Sequence, residues 1–117
     1  MTTKVIVHVD LDDVTRVKRA LANIENLLAA VNPREADMVL LANGQAVKFL
    51  QTETSVSYAD RLQRLVRLGM RVLVCRNSLE HLEIAPERLL DVCQIVPAGI
   101  VTLARLQNEE GFGYVKP

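Results

Sequence analysis

Cys75 stands in the stretch VLVCRNSLEHL, residues 72–82, where apolar strand residues give way to Arg-Asn-Ser and then to a helical pattern. A structural cysteine can sit anywhere apolar, whereas one at a strand-to-helix junction can face a ligand. A helix beginning near Ser78 would point its positive end back at the sulfur, and Arg76 adds a cation nearby. Both favour thiolate, the reactive form of the side chain. Asn77, or the backbone amides of residues 76 to 78, could hold an anion on or beside the sulfur. The competing reading is a small buried hydrophobe, a frequent role for cysteine.

In an open parallel sheet, ligands bind beyond the carboxyl ends of the strands. That rule gathers the other candidates. Strand one ends around His8–Asp10, strand two at Asn43-Gly44, strand three at Cys75–Ser78 and strand four at Pro97–Gly99. Cys75, Asn43 and His8 are therefore expected at one edge, with Cys75 the strong nucleophile among them and Gly44, Arg76, Asn77 and Ser78 lining the pocket. His8 interrupts an apolar strand. It is either a hydrogen-bonded core residue or, if it faces the cleft, a group able to exchange protons with Cys75.

Cys93 reads as core, because it begins strand four at the far end of the sheet. Four strand residues span about 13 Å, and bridged Cα atoms lie within roughly 7 Å, so no Cys75–Cys93 disulfide is expected. His81 falls on the helix after Cys75 and is expected to be exposed. Asp10, Asp12 and Asp13 could suggest Mg²⁺ in a phosphotransfer or receiver-like site. Helix capping explains Asp12 and Asp13 more simply. No spacing of His, Cys and carboxylates makes a zinc-type site, and no Gly-rich phosphate loop is present. No metal and no organic cofactor are expected.

These residues need a frame, and strand-like and helix-like pieces alternate with no long linker. Lys4–Val9 is β-branched and nearly all apolar, the pattern of a strand covered on both faces. Val14, Val17, Leu21, Ile24, Leu28 and Val31 recur at helical spacing until Asn32-Pro33. Met38–Ala42 is a second strand, turned by Asn43-Gly44. Ala46–Leu50 fits a short helix or a strand continuation. Ser57-x-x-Asp60 resembles a capping box for a helix carrying Leu62, Leu65 and Val66, with Gly69 suited to its end. Arg71–Cys75 is a third strand. Ser78–Leu90 is a broken helical region with a fresh start at Pro86. Gln94–Val96 is a fourth strand. Ile100, Leu103, Ala104 and Gln107 form the last helix, stopped by Gly111, and Phe112–Lys116 is a fifth strand. The alternation implies right-handed crossovers and an α/β fold with a parallel sheet in one domain, 1–117.

Composition bounds the function. The 117 residues are half apolar, which suits a globular domain, and 14 basic side chains cancel 14 acidic ones. Nucleic acid or anionic lipid calls for an excess of Lys and Arg, so neither is an expected partner. Two Phe, two Tyr and no Trp leave little for base stacking. No apolar run nears the ~20 residues of a membrane span. MTTKVIVHVD enters a strand at once without a signal-peptide layout. The expectation is a soluble cytoplasmic protein with reduced cysteines.

HVD near the start, VLLANGQAVKFL, VLVCRNSL and VPAGIVTLARLQNEEGFGYVKP, in that order and spacing, together resemble the DsrE/DsrF-like family, and more narrowly its small stand-alone members. The resemblance covers nearly the whole chain. It implies a three-layer α/β/α sandwich with a five-stranded parallel sheet, and a homo-oligomer, commonly a trimer or a hexamer of two trimers. Better-known relatives work in sulfur oxidation and in sulfur relay for tRNA thiolation, where a strand-end cysteine accepts sulfur as a persulfide and passes it on. Cys75 matches that cysteine. Ala42–Gly44 and the CRNS block match pocket segments of the narrower group. The relay proteins act in mixed complexes, so a protein sulfur donor or acceptor is a candidate partner.

Three functions follow. In the first, Cys75 carries sulfur, which needs an accessible low-pKa sulfur and an anion-stabilising pocket. In the second, the protein is a non-enzymatic oligomeric binding or regulatory module, and Cys75 only lines a subunit pocket. In the third, Cys75 is a redox sensor that forms a sulfenic acid. The apolar segment Ile95–Leu106 either covers the sheet or packs against a neighbouring subunit.

Overall fold

The computed structural model describes residues 2–117. Five strands form one sheet: β1 (Thr3–Val9), β2 (Ala36–Ala42), β3 (Arg71–Cys75), β4 (Cys93–Val96) and β5 (Gly113–Val115), in the order β4-β3-β2-β1-β5. Every neighbouring pair is parallel. The α-helices are α1 (Val14–Ala30), α2 (Ala59–Arg67), α3 (Arg76–His81) and α4 (Gly99–Glu110). The chain forms the parallel α/β sheet that the residue pattern implied and the three-layer α/β/α sandwich that the family resemblance implied.

The strand order explains the layering. From β1 to β4 the chain steps outward in one direction, and right-handed crossovers keep α1, α2 and α3 on one face. β5 then returns to the other side of β1, so the last crossover runs backward and α4 falls on the opposite face. The larger core lies under α1 to α3 and takes Val7, Val9, Met38, Leu40, Ala42, Val72 and Val74 from the sheet. The smaller core lies under α4 and takes Ile6, Val39, Leu41 and Leu73, closed by Leu103, Leu106 and Phe112. Alternation along each strand sends His8 and Cys75 to the α4 face with Ile6 and Leu73.

Local chemistry sets most boundaries. Asp13 caps α1 and accepts from the Thr15 backbone N–H at 3.0 Å. Gly69, at φ +113°, follows α2, and its N–H donates to the Val66 carbonyl. Gly111, at φ +74°, ends α4 in the left-handed conformation. Residues Gly44–Leu50 form a 3₁₀ helix, which decides between the two readings of that segment.

Two expectations are corrected. The Ser57–Asp60 box does not form: Tyr58 is the N-cap of α2 and its side chain makes no capping bond, donating instead to the Phe49 carbonyl. The Ser55 carbonyl instead accepts from Tyr58 and Ala59 N–H, as a backbone turn. The helix after β3 begins at Arg76 rather than Ser78, with Cys75 itself at the N-cap position. No helix among the described residues is long and apolar enough to cross a membrane.

Candidate functional site

The carboxyl ends of β1, β2 and β3 lie side by side, and β2 pairs with β3 up to Ala42 opposite Val74. One residue further on, Asn43 and Cys75 are neighbours on the α4 face. Gly99, the first residue of α4, sits over both. A Cβ placed on Gly99 would lie 3.3 Å from the Cβ atoms of Cys75 and Asn43 and 3.4 Å from Leu41 Cδ2. The missing side chain lets the start of α4 descend onto the sulfur.

Two helix N-termini therefore face Cys75. α3 begins directly after it, and α4, which follows β4, begins over β2 and β3 on the opposite face of the sheet. Cys75 is 5 % exposed, and burial is the largest single influence on its thiol, pushing the pKa up. The Ser78 hydroxyl and the backbone N–H groups of Gly99, Ser78 and Asn77 oppose burial, and together they bring the pKa below the ordinary cysteine value. None of them closes an N-cap bond of good geometry on the sulfur; they surround it as aligned dipoles. Ser78 is itself oriented, because Gly44 N–H donates to its Oγ at 2.7 Å and leaves the hydroxyl proton free to face the sulfur.

Gly44 is tied into this arrangement by its backbone. It lies at φ +57°, and a Cβ there would be 2.9 Å from the Asp10 carbonyl oxygen. Glycine is needed at this turn on both counts.

His8, 6 % exposed, is held at both ring nitrogens. Nε2 lies 2.7 Å from Asn43 Oδ1, and Nδ1 lies 2.6 Å from the Tyr114 hydroxyl. An amide oxygen only accepts, so Nε2 carries the proton in the neutral ring and Nδ1 accepts from Tyr114. The file Tyr114–His8–Asn43 thus runs across β5, β1 and β2 and abuts Cys75 on β3. Direct proton exchange between His8 and Cys75 does not fit this geometry. Two strand spacings put the residues on the order of 10 Å apart, and the amide between them is not a proton carrier.

The domain matches the DsrE/DsrF-like family over residues 4–117. The chain belongs to the DsrE/DsrF-like family. Among solved structures it is similar to a protein of unknown function from Methanobacterium thermoautotrophicum, with a TM-score of 0.88 and 27% sequence identity. That match covers 98% of this chain and 99% of the other. No curated protein matches the sequence. Membership suggests a role related to sulfur relay.

In this DsrE/DsrF-like domain Cys75, Asn43, Gly44, Asn77, Ser78 and His8 come together at one sheet edge. Arg76 is exposed and is not among the groups that lower the Cys75 pKa. The cation expected to favour thiolate is replaced by oriented N–H and O–H donors. An open cleft of ≈ 580 Å³ beside α3 is lined by Asp10, Gly44, Gln45, Asn77, Ser78, His81 and Leu82. His81 is exposed there, as its helical position predicted.

The three aspartates separate. Asp10 meets Lys116, whose Nζ lies 2.9 Å from both carboxylate oxygens, although only Oδ2 receives a well-directed hydrogen bond. Asp12 pairs with Lys48 at 2.6 Å, and Asp13 caps α1. A shared Mg²⁺ site does not fit side chains committed in three directions.

Cys93 pairs in register with Val72, at the opposite end of β3 from Cys75, and packs against the larger core. Both cysteines are free. Burial pushes the Cys93 thiol up to about 12. Gly99 and Tyr114 were not singled out as site residues by the sequence. Gly99 carried one signal, its place just past the end of strand four. Tyr114 carried none, since its contact is with a residue 106 positions away.

Proposed function

We propose that this protein is an intracellular sulfur carrier of the sulfurtransferase type, with Cys75 as the persulfide acceptor. The observation that carries this reading is the convergence of four donors on one buried sulfur, enough to lower its pKa against the cost of burial. The Cys75 thiolate attacks the outer sulfur of a donor persulfide, R–S–SH. A new S–S bond forms at Cys75 while the bond from that outer sulfur to R–S breaks. R–S⁻ leaves with the electron pair, and Cys75–S–SH remains. Sulfane sulfur is passed along without a net oxidant or reductant. The same donors then face the ionised persulfide, Cys75–S–S⁻. An acceptor thiolate attacks the outer sulfur in turn and regenerates Cys75–S⁻. Thiolate chemistry of this kind needs no metal and no organic cofactor.

The carrier is proposed to act as a homo-oligomer, a trimer or a hexamer, in the cytoplasm, with a protein as sulfur donor or acceptor. The segment Ile95–Leu106 supports self-association in part. Leu103 and Leu106 turn inward on the sheet, whereas Ile100 and Val101 remain 69% and 51% exposed.

A second reading has its own support. The sulfur is nearly closed off, and the adjoining cleft is lined by Gly44, Asn77 and Ser78 rather than by the sulfur. On that reading the protein is a ligand-binding or regulatory module. Sulfur loading separates the two. The protein is incubated with a persulfide donor and read by intact and peptide mass spectrometry, with Cys93 as the internal comparison. One added sulfur on Cys75 and none on Cys93 is the expected result. A Cys75 thiol that takes no sulfur and alkylates like ordinary cysteine overturns the carrier. A redox-sensor reading receives less support, since Cys93 is too distant to resolve a sulfenic acid within the chain.

A further inference from the structure

The Asn43 side chain stands between two neighbours. Its Oδ1 is occupied by His8 Nε2 on the β1 side. Its Cβ lies next to that of Cys75 on the β3 side, with Gly99 packed over both. The amide is planar, so an oxygen held by His8 on the β1 side leaves the NH₂ group turned away from that ring, on a side chain whose Cβ neighbours that of Cys75 under Gly99. Asn43 Nδ2 has no hydrogen-bond partner among the described residues.

The amide has no means of choosing this orientation alone, because its two ends are nearly the same shape. His8 chooses for it. With the proton on Nε2, the ring accepts only the oxygen end of the amide. A tyrosine hydroxyl can donate or accept, and Tyr114, 2.6 Å from Nδ1, supports the Nε2–H ring by donating to the bare Nδ1. Tyr114 is 42% exposed on β5, the edge strand. It reaches the sulfur only through His8 and Asn43.

We propose that the Asn43 amide is a further hydrogen-bond donor to the Cys75 sulfur anion, and that His8 and Tyr114 are the positioning residues that aim it. The inference deepens the sulfur-carrier reading and rests on its treatment of Cys75 as an anionic sulfur centre. Other titratable or charged groups at this end of the sheet include Asp10, Arg16, Arg76, His81, Lys116 and the C-terminal Pro117, with Arg16 donating to the Pro117 oxygen at 2.6 Å. Asp10 and Lys116 are paired with each other, and Arg76 and His81 are exposed. None enters the Tyr114–His8–Asn43 file.

A double-mutant cycle on the full chain tests this, with the pH midpoint of Cys75 alkylation as readout. Asn43→Ala is expected to raise the midpoint by about one unit, a tenfold loss of thiolate below it. Tyr114→Phe is expected to raise it by about half a unit in the native background and not at all in Asn43→Ala. A merely structural Tyr114 would give no shift, or the same shift in both backgrounds, and either result overturns the proposal. The wild-type protein supplies a second measurement that needs no variant. ¹⁵N shifts of the His8 ring should show the Nε2–H tautomer. An Nδ1–H tautomer would mean that the amide is turned over with its oxygen on the sulfur, and would overturn the proposal.

The same samples are offered the persulfide donor. If coupling appears in the cycle but no sulfur loads, the carrier reading fails and the positioning file stands. If sulfur loads and Tyr114→Phe shifts nothing, the carrier stands and the positioning file fails.

Discussion

Gly99→Ala probes whether the start of α4 is held against the sulfur by packing. The new Cβ would sit 3.3 Å from the Cβ atoms of Cys75 and Asn43, which are fixed to the backbones at the ends of β3 and β2. They have no rotamer by which to move aside. Leu41 Cδ2, at 3.4 Å, can rotate away. Gly99 has no positive φ, so alanine is free of backbone strain there. It even recovers about 0.4–1 kcal/mol by restricting the unfolded chain. Overpacking a filled site costs about 1–3 kcal/mol. The net expectation is a loss of about 1 kcal/mol, or a Tm lower by roughly 3–6 °C for a chain of this size. The cheapest relief is to lift the first turn of α4, which withdraws the Gly99 N–H from the sulfur. The Cys75 pKa should then rise by about one unit. Calorimetry gives the first quantity, and the pH dependence of Cys75 alkylation gives the second. A variant that loses stability with an unmoved thiol would show that Gly99 packs but does not donate. A variant as stable as the parent, with an unmoved thiol, would refute the close approach altogether.

Ser78→Ala removes both the hydroxyl at the sulfur and the acceptor of Gly44 N–H; the alkylation midpoint of Cys75 should move up by about one unit, and an unchanged midpoint would remove Ser78 from the site. Gly44→Ala must place a Cβ at φ +57° and 2.9 Å from the Asp10 carbonyl; chemical denaturation should show a loss of about 2–4 kcal/mol, and a loss under 1 kcal/mol would contradict the close approach. Cys93, with its thiol pushed up to about 12, should resist alkylation at neutral pH in the folded protein and react once denatured; equal labelling of both cysteines in the native state would refute its burial. Glu25 is held below the usual carboxylate range chiefly by its hydrogen bonds from Arg61. A depressed folded pKa means that its contribution is complete above the unfolded value of about 4.3 and is lost as pH falls through the lower folded value. Arg61→Ala should therefore cost well under 1 kcal/mol at pH 7 and flatten the acid limb of stability against pH; an unchanged limb would refute the pairing.

Much of this protein was readable in one dimension because its elements are signalled locally. Alternating apolar runs and helical stripes need no tertiary information, and neither does Asp13 before α1 or the glycines at positions 69 and 111. The strand-end rule then placed Cys75, Asn43 and His8 at one edge, since it depends only on where parallel strands stop. The same local logic failed at Ser57, where a backbone turn from Ser55 took over the work of a side-chain cap. It failed also at Arg76, because a long exposed cation is a weaker influence on a buried sulfur than four fixed dipoles around it.

What the sequence could not supply is the return of the chain across the sheet. Strand order is a property of long-range pairing, and nothing local says that β5 joins the far side of β1. That one topological choice puts α4 on the opposite face and lowers its N-terminus onto Cys75. It also brings Tyr114 against His8. By itself the sequence determined a parallel α/β domain with a cysteine at a strand end. Tertiary structure decided which donors meet that sulfur, because they come from strand ends and helix starts brought together only by the assembled sheet.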